Sequence, residues 1–280
     1  MNPIFLICAV EFEARPLLAR IERPEVITIG RRSAWRGRIS GREVVVLPGG
    51  MGKTNAAQAL TAALEHSDAA GVLGFGVAGA YPASGLLPGA VALATEENYG
   101  DEGVETPAGW ISCEGIGIPL LDQEDSRLFN RFPVDAVALR AAARMLPHAV
   151  TGPFVTVSTC SGTTDRGAVL TRRYSAICET MEGAAFAHVA RLYDVPYLEV
   201  RGISNLVEDR DLSQWKLADA ARAACDAAET ILAGWDAGDG SPVLPLSLPG
   251  RNQADAVRPD TAGSTSNQRS HIADQCPDRH

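Results

Sequence analysis

Residues 179–211 read ETMEGAAFAHVARLYDVPYLEVRGISNLVEDRD, and the order of the pieces in this stretch decides the fold. A polar pair, Met181-Glu182, precedes a run of small residues, Gly183-Ala184-Ala185. Met181, Ala185, Val189 and Leu192 then recur at helical spacing. Pro196 closes that segment, and an apolar strand, Tyr197 to Ile203, runs into Ser204-Asn205. A carboxylate at the start of a helix and an amide at the carboxyl end of the next strand can meet at one edge of an α/β sheet, where such folds keep their sites. Taken alone, Glu182 is equally an ordinary helix-start glutamate, favoured by the positive end of the helix dipole. Asn205 alone reads first as a turn residue.

The ETMEGAAFAHV…VRGISN pattern resembles the purine nucleoside phosphorylase/hydrolase superfamily, in its nucleosidase branch. It is similar to the ribose-binding Met-Glu and base-binding Ser-Asp/Asn blocks of the methylthioadenosine/S-adenosylhomocysteine nucleosidases. Gly183, Asn rather than Asp at 205, and the block YGDEGVETPAGWISCEGIGIPLL (Tyr99 to Leu121) resemble the futalosine hydrolase family more closely. The resemblance spans about Ile4 to Leu232. It implies a single α/β domain with a mixed central β-sheet flanked by helices. The implied activity is hydrolysis of an N-glycosidic bond, without metal or nucleotide cofactor, in a homo-oligomer of two or more subunits. In menaquinone biosynthesis the futalosine hydrolases release hypoxanthine from futalosine. Adenine-type nucleosidases, 6-oxopurine nucleoside phosphorylases and a silent nucleoside-binding protein are the rival readings.

At the N-terminal end, Ile4 to Val10 reads as a buried first strand, and Glu11 to Ala14 turns into a helix with Pro16 in its first turn. Glu13 sits at that corner, either as a helix-start acid or as a general base. The resemblance implies the second role, activation of water, provided burial raises its pKa toward working pH. Pro48 to Thr54 looks like a phosphate loop, but Leu47 stands where a Walker A motif needs glycine. It reads as a tight turn into a helix over Thr54 to Leu64, with Lys53 facing solvent. Gly74 to Gly79 is a literal GxGxxG, yet Tyr81-Pro82, Gly85 and Pro88-Gly89 follow where a dinucleotide site needs a helix. The expectation is a loop where backbone approaches a ligand closely. The resemblance puts Gly76, Val77 and Ala78 beside the ribose. Val77 stands where phosphorylases and many nucleosidases carry a serine; the lost hydroxyl removes a plausible phosphate ligand and favours water as nucleophile.

Thr95 to Leu121 reads as a long loop without a helix of its own, expected to cover the 5′ side of a substrate. The Ser/Thr-rich segment 160–164 resembles the purine border and is equally plain turn chemistry. The resemblance gives Glu182 the ribose hydroxyls and Met181 packing against the sugar. Asn205 offers one donor and one acceptor in a fixed fork. This suits the O6 acceptor and N7–H donor of a departing 6-oxopurine, whereas an adenine N6 donor suits Asp. Arg210 either pairs with a carboxylate on the 5′ arm or is a surface arginine among Glu208, Asp209 and Asp211.

A length of 280 residues and 46% hydrophobic content allow one large α/β domain. The formal net charge of −9 offers no basic footprint for nucleic acid. The six cysteines are scattered without a CxxC, and the five histidines form no metal-spaced cluster. Isolated cysteines suggest reduced thiols in a cytoplasm. No apolar run is long enough to span a membrane. Residues 1–235 are expected to form the catalytic domain. Residues 236–280, rich in Gly, Ser, Pro, Asp and Gln, are expected to be a disordered tail.

Overall fold

A computed structural model describes residues 2–123 and 126–235. The expected tail, and with it the domain boundary at 235, lies outside the described residues.

Strand β1 (Ile4–Cys8) is five buried apolar residues, as a strand covered on both faces must be. Helix α1 (Glu11–Leu18) starts two residues beyond it after a turn at Ala9-Val10. Pro16 therefore lies in its second turn, not its first, because the helix opens at Glu11. Strands β2 (Glu22–Ile29), β3 (Arg32–Ile39) and β4 (Arg42–Pro48) form an antiparallel meander. Its two-residue turns, Gly30-Arg31 and Ser40-Gly41, have positive φ at both positions, which matches the right-handed twist of the flanking strands. Helix α2 (Lys53–His66) follows, then β5 (Gly71–Ala80) and β6 (Val91–Tyr99). A hairpin, β7 (Gly103–Thr106) and β8 (Gly109–Ser112), leads into a short helix α3 (Cys113–Ile116). The short strands β9 (Leu121–Gln123), β10 (Ser126–Leu128) and β11 (Arg131–Pro133) precede α4 (Ala136–Met145). The chain continues through β12 (Val150–Thr156), α5 (Thr164–Tyr174), β13 (Cys178–Thr180), α6 (Gly183–Leu192), β14 (Tyr197–Leu206) and α7 (Leu217–Ala233).

These strands build the mixed α/β sheet that the resemblance implied. β1 pairs in parallel with β4 and β5, and β14 runs parallel to β5 but antiparallel to β6. β6 pairs with β12, β12 with β13, and β13 with β5. Strands β5, β14, β6, β12 and β13 thus close a ring of pairings, which removes the free edges on that side. The side chains of β14 alternate. Gly202 lies under α7, where an added Cβ would be 2.0 Å from the Ala220 carbonyl oxygen. Glu199 lies under α6, beside Gly183. The two helices therefore cover opposite faces, and polar groups of β14 collect on the α6 side.

Two further expectations are corrected. Gly74 to Gly79 is not a loop but the second half of β5. Its glycines make room for polar side chains on the neighbouring elements: a Cβ on Gly76 would stand 2.4 Å from Glu13 Oε1 and 2.7 Å from Arg201 Nη1. Thr95 to Leu121 does have elements of its own, namely the end of β6, the β7–β8 hairpin and α3. Buried Asn130 ties it down, accepting from Cys113 N–H and donating to the Tyr99 and Glu102 carbonyls.

Candidate active site

The α1 corner delivers Glu13 to the carboxyl ends of β1 and β5. Glu13 is buried, and each of its oxygens has an amide partner. Oε2 accepts from the Ala9 and Val10 N–H groups at 3.0 Å each, and Oε1 accepts from Val77 N–H at 2.8 Å. Three backbone donors fix the carboxylate in one orientation. Gly76 makes the approach possible, with φ at 147°, a conformation that side-chain-bearing residues rarely adopt.

Glu182 stands immediately before α6 and is buried. Its Oε1 accepts from Gly52 N–H at 2.8 Å. Burial pushes its carboxyl pKa above the ordinary value, while Arg201 and the Gly52 bond pull the other way.

Arg201 joins the two acids. Its Nη1 lies 3.9 Å from Glu13 Oε1, and its Nη2 lies 4.0 Å from Glu182 Oε2. The same guanidinium donates through Nε to Glu199 Oε1 at 2.6 Å and through Nη1 to the Val77 carbonyl at 3.3 Å. It is 1% exposed, and its Nη2 has no hydrogen-bond partner among the described residues. Burial opposes the charge, but Glu199, Glu182 and Glu13 together raise the guanidinium pKa beyond its usual value.

Asn205 occupies a β-strand position rather than a turn, four residues beyond Arg201 on β14. Its β5 partner Gly79 lies three residues beyond Gly76, the partner of Arg201, so the two β14 residues are about 10 Å apart along the strand. Among the described residues Asn205 bonds Ser204 and Leu206 rather than the Glu13–Glu182–Arg201 cluster. The β14–β5 register slips between Ile203 and Asn205, and irregularities of this kind re-aim side chains next to active sites. Asn205 Nδ2 donates to the Leu206 carbonyl at 2.9 Å, and Oδ1 accepts from Ser204 Oγ at 2.7 Å. One amide hydrogen and one lone pair remain for a ligand.

Ala78 is buried, and its carbonyl, 3.2 Å from Ser204 Oγ, is the alternative acceptor for the one hydroxyl hydrogen that Asn205 Oδ1 competes for. Val77 and Met181 are half-buried at the rim. Arg210 lies apart from the acidic cluster. It is exposed, its guanidinium stacks over Trp215 at 5.0 Å, and its N–H donates to the Gly162 carbonyl.

Several contributors were not anticipated from sequence. Lys53 does not face solvent: its Nζ bonds Asp101 at 2.6 Å and Glu102 at 2.7 Å and is mostly enclosed. Burial opposes its charge, and the two carboxylates outweigh that cost. Asp101 also accepts from Ser158 N–H. Glu179 holds the 158–163 segment from below, accepting from Ser161 N–H at 2.8 Å and from the Tyr81 hydroxyl at 3.1 Å. Arg201 had a signal in the sequence. Glu199 and Arg201 lie two apart in an otherwise apolar strand, so they share a face, and charges so buried are rare unless paired.

This arrangement has an anchored carboxylate, a second carboxylate across a buried guanidinium, and an amide further along the same strand. Such a site can deprotonate a small nucleophile, stabilise positive charge and read a polar ring edge.

The Phosphorylase superfamily pattern matches residues 3–233. A futalosine hydrolase of Thermus thermophilus is 37% identical over 200 residues, covering 71% of this chain and 85% of that one. Among solved structures, the 5′-methylthioadenosine/S-adenosylhomocysteine nucleosidase of Neisseria meningitidis superposes with a TM-score of 0.73 at 23% identity. It covers 84% of this chain and all of that one. The Streptococcus pneumoniae enzyme of the same name gives 0.72 at 21%, again over 84% of this chain and all of its own. At that identity the two structures speak for the fold, while the sequence match speaks for the family. The chain belongs to the phosphorylase superfamily, on its N-glycosidase branch.

Proposed function

We propose that the chain hydrolyses the N-glycosidic bond of futalosine, releasing hypoxanthine and dehypoxanthine futalosine in menaquinone biosynthesis. The observation that carries the site is the convergence of Glu13 and Glu182 on Arg201, with Asn205 further along the same strand. The 37% identity to a futalosine hydrolase supports the substrate.

In this reading Glu13 is the general base. A water oxygen bonds to the anomeric carbon, the C1′–N9 bond breaks, and its electron pair leaves with the purine. Glu13 takes the water proton, and the departing base gains a proton at N7 from solvent. Glu182 accepts the ribose 2′- and 3′-hydroxyls, and its charge favours the oxocarbenium-like sugar. Arg201 keeps both carboxylates in place. Met181, Gly76, Val77 and Ala78 line the sugar, and Arg210 is the candidate cation for the substrate's carboxylate.

The Val77 N–H already serves Glu13, and its side chain has no hydroxyl for phosphate. This favours water over phosphate as nucleophile. Asn205 supports a 6-oxopurine leaving group, because a buried donor or acceptor left unpaired costs about 1–3 kcal/mol.

We further propose a cytoplasmic homo-oligomer with no nucleic-acid or membrane partner. The free state of Cys8, Cys113, Cys160, Cys178 and Cys225 supports the cytoplasm, and the formal net charge of −9 speaks against nucleic acid. No described helix is long and apolar enough to cross a membrane, and the homo-oligomer is what the family resemblance implies. The proposed domain is residues 1–235.

The test is base release from futalosine, inosine and methylthioadenosine, each with and without phosphate, followed by chromatography. Phosphate-independent hypoxanthine from futalosine alone is the expected result. Adenine release would overturn the role given to Asn205, and phosphate dependence would overturn the role given to water.

A further inference from the structure

Beneath the start of α6 lies a second acidic pair that the proposed reaction does not touch. Glu97 on β6 and Glu199 on β14 are both fully buried. Both reach toward Gly183, where an added Cβ would be 2.4 Å from Glu97 Oε2 and 2.7 Å from Glu199 Oε2. Two carboxyl groups converging on one dry point cannot both be charged at modest cost.

Their partners are unequal. Glu199 Oε1 receives Arg201 Nε at 2.6 Å, and its Oε2 receives the Tyr197 hydroxyl. Glu97 Oε2 receives only the Thr156 hydroxyl at 3.3 Å, and its Oε1 has no partner among the described residues. Glu199 therefore has the cation, and Glu97 is the acid left without one.

We propose that Glu97 and Glu199 share a single proton, held on Glu97, and that the charge left on Glu199 makes it the positioning residue for Arg201. The inference rests on the reading of Glu13, Glu182 and Arg201 as the reacting site. With Glu97 neutral, its O–H can donate to Glu199. That leaves one carboxylate, not two, behind the guanidinium that faces Glu13 and Glu182. Burial first, and then the Glu199 charge, push the Glu97 carboxyl well above the usual carboxylate range. The other groups facing the pair are Arg201 and Tyr197 from β14, Cys178 from β13, Tyr99 from β6 and Glu182 at the start of α6.

The sign of the linkage is fixed by the direction of that shift. Glu97 binds a proton more tightly in the folded chain, so its stabilising contribution is present at low pH. It is lost as pH rises from the ordinary carboxylate range through the raised value.

The experiment compares the full-length wild type with E97Q, E97L and E199Q. Thermal unfolding midpoints are followed against pH, and kcat and KM for base release are measured at neutral pH. E97Q still donates to Glu199, so it should keep kcat within about threefold of wild type, while E97L and E199Q lose about a hundredfold with KM little changed. The wild-type midpoint should fall with rising pH, and E97Q should flatten that fall. Loss of turnover in E97Q as severe as in E97L overturns the shared proton, and so does an identical pH dependence of unfolding in wild type and E97Q. The unfolding comparison uses no substrate. If it gives the expected difference while no nucleoside is cleaved, the acid pair stands and the hydrolase reading falls.

Discussion

The backbone N–H of Gly52 donates to Glu182 Oε1 at 2.8 Å, across 130 residues of chain. A loop that imitates a phosphate-binding motif thus serves a carboxylate of the chain's own. The consequence is that Glu182→Gln can keep this bond, since a carboxamide oxygen also accepts, while losing the negative charge. We expect the variant to fold normally and to lose roughly a thousandfold in kcat/KM, about 4 kcal/mol of transition-state stabilisation. Steady-state kinetics on futalosine with a parallel unfolding curve check this. A loss below about tenfold would remove Glu182 from the charge-stabilising role.

The acid limb of the pH profile should report the same residue. Burial raises the Glu182 carboxyl above its ordinary 4.5. In the proposed role turnover needs the carboxylate, so kcat/KM, which reports the free enzyme, should fall as pH drops through a value higher than 4.5. Stability runs the opposite way, because an acid with a raised folded pKa contributes most at low pH and loses that contribution as pH rises through it. Rate and unfolding midpoint measured across the same buffers should therefore diverge on the acid side. An acid limb at or below an ordinary carboxylate would contradict the assignment.

What could be read from the sequence divides along physical lines. The alternation of apolar strands and amphipathic helices, and the Glu182 and Asn205 blocks, depend on local pattern, and local pattern is visible in a chain. The strand-to-helix corner holding Glu13 was visible for the same reason. Gly74 to Gly79 was misread because glycine density usually signals a loop. Here it marks a strand hollowed to admit Glu13, Glu199, Arg201 and Asn205 from other elements, which only the fold brings near. Lys53 looked solvent-facing because its partners, Asp101 and Glu102, lie 48 and 49 residues away. Arg201 carried a signal, a charge two residues from Glu199 in an otherwise apolar strand, but its partners Glu13 and Glu182 come from distant segments that only the fold brings near.

Gly76 gives the sharpest structural prediction. Gly76→Ala would bring a Cβ to within 2.4 Å of Glu13 Oε1 at a φ of 147°. Neither the strand backbone nor the amide-anchored carboxylate can move freely. The substitution should cost about 2–4 kcal/mol in stability and should also displace Glu13. Denaturant midpoints and kcat measured on the same preparation check both effects. A variant with wild-type turnover would show that the anchoring of Glu13 is dispensable.

Glu13→Gln separates binding from chemistry. The three backbone amides that hold Glu13 need two acceptor atoms, and a carboxamide supplies only one. Some loss of order at the corner should follow and can reach Val77, whose N–H bonds Glu13, while Glu182 and Asn205 keep their own partners. We expect substrate binding by calorimetry to stay within about tenfold while kcat falls roughly a thousandfold or more. Near-normal kcat would exclude Glu13 as the base.

Asn205→Asp tests how the base is read. In place of the amide donor the carboxylate presents only acceptors, which suits an exocyclic amino group and opposes a 6-oxo group. The Ser204 hydroxyl can still donate to the side chain, whereas the bond from Nδ2 to the Leu206 carbonyl is lost and two acceptors face each other there. The strand end should loosen slightly, and the ratio of kcat/KM between 6-amino and 6-oxo nucleosides sharing one 5′ group should rise about tenfold or more. Because both substrates meet the same loosened strand, the ratio cancels the structural loss and isolates recognition. An unchanged ratio would mean that the purine edge is read by another part of the site, with the 158–163 segment held by Glu179 the first place to look.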